Sequence, residues 1–342
     1  MTVEFNGMVP SDLAGTAEKA IAACADKSLA EQAGLMAADG LLGICASESV
    51  GGLGLPLAFA LPLAVESSRA MQRFPLAEVL TLTAALEPGT SDIAEKIAAG
   101  EDVATVAWKG ELRLETVAGG FVATGVVGGT PFGKDVDHVL ARIDDGRGVL
   151  ASTTGKGVSV SPAAGSLDLV HPESILGFDG AAVPASAVIP VDVMEMIDRV
   201  ALILKAASIV GSAQYCIEAA TEHATTRKQF GKPLIANQAI RHHLARHKLA
   251  FESAKVVLDR AVMPGASLNA ARSAYAIAVN AGIQIAEGAI QVHGGMGFTW
   301  EVPLHFHLRH VRSIETQCQA TTNLDRLGAS YIEALSGTSV AA

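Results

Sequence analysis

The sequence predicts an α+β protein that is mostly helix: an N-terminal helical domain over 1–101, a small central β domain over 102–190, and a four-helix bundle over 191–342. Three observations predict it. Apolar residues recur at intervals of three and four along the first and last parts of the chain. Between those parts Val, Thr and Gly dominate, with the alternation of half-buried strands. Half of the residues are hydrophobic but only 4% are aromatic, so the core is mostly Ala, Leu, Val and Ile, which suits closely packed helices.

The elements follow in order. Ser11 is a candidate N-cap for a helix over 12–25. Leu29, Ala33, Met36 and Ala37 share one helical face, and Asp39-Gly40 is a stop signal. A loop rich in Gly and Ser spans 46–56, and helices over 57–71 and 74–87 follow. Pro88-Gly89-Thr90-Ser91-Asp92 is turn chemistry, with Ser91 placed to cap the next helix. In the β domain, 119–129 and 156–162 alternate as strands, and Asp144-Asp145-Gly146 marks a hairpin. Its strands are expected to pair mostly antiparallel. Helical periodicity returns over 194–228, from Ala239 to Val262, from Leu268 to His293 and from Thr321 to Leu335. Short connections between long helices predict a bundle.

A formal charge of -10 argues against nucleic acid as a partner, because phosphate backbones demand surplus Lys and Arg. Cys24, Cys45, Cys216 and Cys318 are scattered, with no CxxC or Cys/His ligand spacing, so no metal is expected and a reducing cytoplasm fits. The first residues lack the basic-then-apolar pattern of a signal peptide, and no membrane span is expected.

Two segments carry the chemistry. Arg227-Lys228-Gln229-Phe230-Gly231-Lys232-Pro233-Leu234 ends a long helix, with Gln238 soon after. A guanidinium fork matches phosphate oxygens, and Gly231 lets the backbone turn tightly. Taken alone, it is equally a basic helix terminus that complements the helix dipole. Gln291-Val292-His293-Gly294-Gly295-Met296-Gly297-Phe298 ends another helix, with glycines that let a ligand approach the backbone. Taken alone, it is an ordinary glycine-rich stop.

Together, in this order, the segments resemble the C-terminal domain of the acyl-CoA dehydrogenase family. The resemblance extends to Glu301-Val302-Pro303, to Arg309-His310-Val311-Arg312, to the loop Glu48-Ser49-Val50-Gly51-Gly52-Leu53-Gly54, and to Phe178-Asp179-Gly180-Ala181-Ala182-Val183-Pro184. It implies an N-terminal helical domain, a β domain and a four-helix bundle, with FAD spanning a subunit interface. It implies that Arg227, Gln229, Phe230, Gln238, Gln291, Gly294 and Gly295 contact the ADP half of a neighbour's FAD. The implied reaction is α,β-dehydrogenation of an acyl-CoA thioester: a Glu removes the α-proton, the β-hydrogen leaves as hydride to the flavin, and electrons pass to an electron-transfer flavoprotein.

The sequence departs from that pattern at the base. The usual Glu position is occupied by Cys318, and a neutral thiol is a poor substitute for a tuned carboxylate. Glu315 lies about one turn before it. Where the base sits on the preceding long helix, the position falls at Ala201, with Asp198 the nearest acid. The segment that should cradle the isoalloxazine is missing between Val103 and Phe121. The chain therefore resembles the base-lacking subunit of α2β2 assemblies that degrade steroid side chains. The alternatives are a self-sufficient dehydrogenase, a homo-oligomer using Glu315 or Asp198, and a non-catalytic scaffold that binds FAD or acyl-CoA.

Overall fold

The computed structural model describes residues 3–86 and 92–336. The chain divides into two compact units, one of residues 1–64 and 72–204, the other of residues 65–71 and 205–342.

In the first unit the helices are α1 (Ala14–Ala23), α2 (Leu29–Ala38), α4 (Leu76–Ala85) and α5 (Asp92–Ala98), with α3 (Leu61–Arg69) shared between the units. Ser11 does not cap α1: it lies inside a 3-10 turn over Pro10–Leu13, where the Asp12 carboxylate accepts from the Val9 N–H at 2.9 Å. Proline at the first position favours that tighter turn. The start of α2 is a capping box: Ser28 Oγ accepts from the Glu31 N–H, and the Glu31 carboxylate accepts from the Ser28 N–H at 2.8 Å. Asp39 ends it, followed by Gly40 at φ +71. The Pro88–Ser91 turn, with the Ser91 cap, lies outside the described residues. α4 is buried on nearly every side; its Thr83 hydroxyl donates to the Leu42 carbonyl at 2.8 Å, so the buried hydroxyl is satisfied.

The same unit carries two four-stranded sheets. One has the order β1 (Ala104–Val106), β4 (His138–Arg142), β5 (Gly148–Ser152), β8 (Val188–Ile189); the other runs β2 (Leu112–Val117), β3 (Gly120–Pro131), β7 (Glu173–Val183), β6 (Val158–Pro162). Only β1 and β4 pair parallel among these strands. Leu112, Ala123 and Val127 from one sheet and Val139, Ala141 and Val149 from the other form a single buried cluster. The β4–β5 hairpin turns at Asp144-Asp145-Gly146, with Gly146 at φ +90. The Glu48–Gly54 loop folds on itself: Gly54 N–H donates to Ala46 O at 2.8 Å and Leu53 N–H to Gly43 O at 3.0 Å. Phe178, Ala181 and Val183 on β7 are core residues.

The second unit is helical. It holds the part of α6 (Val191–Thr226) beyond Leu204, then α7 (Gln238–Ala261), α8 (Leu268–His293), α9 (Leu304–Gln317) and α10 (Ala320–Ser336). α10 is the last of the four helices that the periodicity predicts and lies against α8, whereas α9 is a fifth helix, formed where the sequence shows only a motif. Ser267 caps α8 by accepting from the Ala270 N–H at 3.3 Å. Small residues let these helices approach closely: a methyl group at Gly282 would overlap Ile209 and stand 3.3 Å from Val311. α6 is long and apolar enough to cross a membrane, but 83% of its most apolar window is buried within the protein, as in a core helix.

Candidate functional site

The end of α6 leads into a miniature hairpin, β9 (Lys228–Gln229) and β10 (Lys232–Pro233), in which Gln229 pairs with Lys232. Leu234 N–H donates to the Arg227 carbonyl at 2.9 Å and closes its base. The tip residues Phe230 and Gly231 have φ +51 and +77, a left-handed two-residue turn. Glycine accepts that backbone freely, but a bulky aromatic does so at a cost. The Phe230 side chain is also 98% exposed. The strain buries nothing within this chain.

The glycine segment lies at the neighbouring helix end. His223 on α6 and His293 on α8 stack with centroids 4.2 Å apart, which ties the end of α6 to the end of α8. His293 Nδ1 donates to the Ala289 carbonyl at 2.8 Å, fixing that ring. Gly294 then turns at φ +62, and a side chain at Gly294 or Gly295 would meet nothing within 4 Å. Met296, Phe298 and Trp300 follow as exposed apolar groups. Gln291 points to solvent from the last turn of α8, and Gln238 from the first turn of α7. The Leu234–Arg227 bond holds the lead-in to α7 against the hairpin. All seven residues expected at the ADP half are thus exposed, on helix ends and a hairpin of one unit.

The electrostatics there are cationic. The Arg227 guanidinium has no acidic partner within ion-pair distance among the described residues, and Lys228 and Lys232 flank it. Burial first, then His293 and Arg227, lower the pKa of His223. An anion suits this surface, because a phosphate would satisfy the guanidinium and the open glycine backbone together. The residues present therefore fit the ADP portion of a dinucleotide.

The isoalloxazine half does not fit in the same way. The segment 107–111 follows β1 directly and bonds to β3: Lys109 N–H donates to Gly128 O at 3.0 Å and Gly128 N–H to Lys109 O at 2.9 Å. Its Lys109 N–H, and its Ala107 N–H, which donates to Leu140 O at 2.9 Å, are spent on the protein's own sheets.

The candidate bases are placed as follows. Cys318 is buried at the C-cap of α9, where Tyr275 reaches from α8: the Tyr275 hydroxyl donates to the Ile314 carbonyl at 2.9 Å, one turn before the cap. Glu315 is held by Arg312 at 3.0 Å, and the same guanidinium takes Glu287 at 3.1 Å. Asp198, in the other unit, is paired with Arg142 on β4. Each carboxylate is thus tied to an arginine of its own unit and would have to leave that pair to reach a substrate. Neither arginine partner is legible in the sequence: Arg142 lies 56 residues from Asp198, and Arg312 stands there only as part of the Arg309–Arg312 motif.

One pairing is equally hidden there: His223 and His293 lie near the ends of different helices, and no spacing connects them.

A family profile described as "Acyl-CoA dehydrogenase, C-terminal domain" matches residues 196–317. "Acyl-CoA dehydrogenase FadE34" of Mycobacterium tuberculosis is 32% identical over 288 residues, which cover 80% of this chain and 38% of that protein. The chain thus spans little more than a third of that curated relative. Among solved structures, a chain of "the ChsE4-ChsE5 complex from Mycobacterium tuberculosis" superposes with a TM-score of 0.86 at 23% identity, covering 95% of this chain and 97% of that one. A chain of the "Tcur3481-Tcur3483 steroid ACAD G363A variant" also gives 0.86 at 22% identity, covering 96% and 98%.

Proposed function

This chain belongs to the acyl-CoA dehydrogenase family, and we propose that it serves as a subunit that offers the ADP half of an FAD site to a homologous catalytic partner. One observation carries the reading. Phe230 is held in a left-handed backbone at φ +51 with 98% of its surface exposed, beside an arginine that has no carboxylate within ion-pair distance among the described residues. Such an arrangement is worth keeping only if another molecule covers it.

In the assembly, Arg227 binds the pyrophosphate, the amides of Gln229, Gln238 and Gln291 bond the nucleotide, Phe230 lies against it, and Gly294-Gly295 admit it to the backbone. FAD supplies the hydride acceptor. The α-proton of the thioester goes to a carboxylate of the partner subunit, since Cys318 stands at the usual base position here and Glu315 and Asp198 are each held by an arginine. Electrons leave to an electron-transfer flavoprotein. The substrate is an acyl-CoA thioester, and a steroid-derived acyl group is the first to test, because one structural neighbour is named a steroid enzyme.

The test is expression of the chain alone and together with a Glu-bearing homologue, followed by the flavin spectrum and its bleaching by short, long and steroid-derived acyl-CoA. Flavin retention and bleaching are expected only for the pair. A yellow chain that acyl-CoA reduces by itself would overturn the reading. So would a stable, folded monomer seen by light scattering at micromolar concentration, since a half-site is useful only across an interface.

A further inference from the structure

His223 and His293 are not among the seven residues assigned to the ADP half, yet they stand where its two segments meet. His223 lies four residues before Arg227 on α6, and His293 comes directly before Gly294 at the end of α8. Their half-buried rings stack with centroids 4.2 Å apart and planes at 27°. His293 Nδ1 donates to the Ala289 carbonyl at 2.8 Å, so in the neutral ring Nε2 presents a lone pair. A neutral ring held this way accepts a hydrogen bond at Nε2; it donates one to an anion only after gaining a proton.

Two stacked imidazoles beside a guanidinium cannot both carry charge cheaply. His223 is held below the ordinary histidine range by burial first, then by His293 and Arg227. Lys228 and Lys232 in the hairpin, and Arg241 and His242 in the exposed first turn of α7, add to the positive side. Of the acids along the two helices, Glu218 is held by Arg69 at 3.1 Å and Glu287 by Arg312 at 3.1 Å, and Glu222 is exposed beside His223 in the chain. Segment 294–298 carries no charged side chain. Near neutral pH the His223 ring is therefore uncharged until an anion arrives.

We propose, on the ADP-half reading given above, that His223 and His293 act as one protonatable pair that takes up a single proton from solvent as the pyrophosphate of FAD arrives, and so gives that anion a second cationic contact beside Arg227. The two rings titrate together, and one proton serves both. Because the pair holds protons more tightly with the anion present, FAD affinity is greatest in mild acid and falls as pH rises through the titration of the bound pair. Arg227 keeps its charge throughout that range and gives no such slope.

The experiment uses the assembled pair of this chain and a Glu-bearing homologue, stripped of flavin and titrated with FAD between about pH 5.5 and 8.5. Calorimetry in two buffers of different ionisation heat counts the protons. The wild type should take up as much as one proton per site, with affinity falling by up to about tenfold per pH unit where uptake is complete. His223→Gln and His293→Gln should each lose that uptake and weaken FAD by about tenfold in mild acid, but much less at high pH. The double variant should be no worse than either, because one proton is shared. A purely structural role would shift affinity equally at every pH. Should one variant fail to fold, the other carries the test beside the wild-type proton count. No proton uptake by the wild type, or an unchanged pH profile in a folded variant, would overturn the pair's role. If Arg227→Ala still weakens retention in that case, the ADP half stands and only the pair falls; if Arg227→Ala is also without effect, both fall together.

Discussion

The tip of the β9–β10 hairpin and the end of α9 belong to the same helical unit, yet their groups are treated oppositely. At the end of α9, Tyr275 is fully buried and its hydroxyl is spent on the Ile314 carbonyl at 2.9 Å, Cys318 is packed away, and Glu315 is neutralised by Arg312. At the hairpin, Phe230 is exposed in a left-handed turn and Arg227 has no acid in reach. One region is complete within the chain. The other has unspent donors and uncovered apolar surface, the features expected of a surface that a second molecule completes. On the proposed reading this chain contributes recognition, while the end of α9, where the resemblance puts the base, is given to packing.

The sharpest way to break that comparison is to attack the buried side. Tyr275→Ala should cost about 3–5 kcal/mol of stability, from lost packing and the loss of its hydroxyl's bond to the end of α9. Flavin binding per folded molecule should hardly change. Chemical denaturation measures the first and flavin occupancy of the folded fraction the second. A mild loss of stability with a collapse of occupancy would make Tyr275 part of the site.

The buried side also sets the pH response. His247 stays neutral in the folded chain down to about pH 4, while an unfolded histidine protonates near 6.5. Between those values the unfolded chain binds more protons, so stability falls as pH drops through that window, by on the order of 3 kcal/mol for this one ring. His223, also lowered, acts in the same direction. His247→Gln should flatten the slope; an unchanged slope would assign the acid sensitivity to other groups.

On the exposed side the expected pattern is reversed. Arg227→Ala should leave stability within about 0.5 kcal/mol, as for an ordinary surface change. It should weaken FAD retention in the assembled complex by about 1.5–3 kcal/mol, or one to two decades. Flavin occupancy after extensive dialysis reads this directly, and unchanged occupancy would remove Arg227 from the site.

Much of this was legible in the sequence, for local reasons. The bounds of α8 follow from the Ser267 cap, the apolar period and the glycines after His293. The β4–β5 hairpin follows from Asp144-Asp145-Gly146, and the exposed face proposed for the ADP half is drawn from two motifs at helix ends. What escaped depends on distance or on backbone state. Nothing near Asp198 announces Arg142 as its partner, and no composition rule puts Phe230 rather than Gly231 alone at positive φ. The start of α1 was misread because Pro10 favours a 3-10 turn, which draws Ser11 inside and leaves the bonding to Asp12.

The smallest expected effect is the most discriminating. Cys318→Ala and Glu315→Gln should both leave acyl-CoA-dependent flavin reduction by the assembled complex nearly unchanged. A neutral thiol is a poor proton acceptor and cannot take the α-proton of a thioester at a useful rate. Removing its sulfur creates a small void, worth about 1 kcal/mol. Glu315 is a carboxylate, but Arg312 grips it at 3.0 Å while also holding Glu287 at 3.1 Å. Releasing it for catalysis would break that network of one arginine and two carboxylates. The amide in Glu315→Gln keeps the shape and loses the charge, and because the pair is partly solvated the stability change should stay within about 1 kcal/mol. If reduction collapses with Glu315→Gln while the protein stays folded, the chain is a self-sufficient dehydrogenase with a displaced base. If it collapses with Cys318→Ala, the end of α9 still reaches the chemistry, and the contrast between a complete region and an open one is wrong.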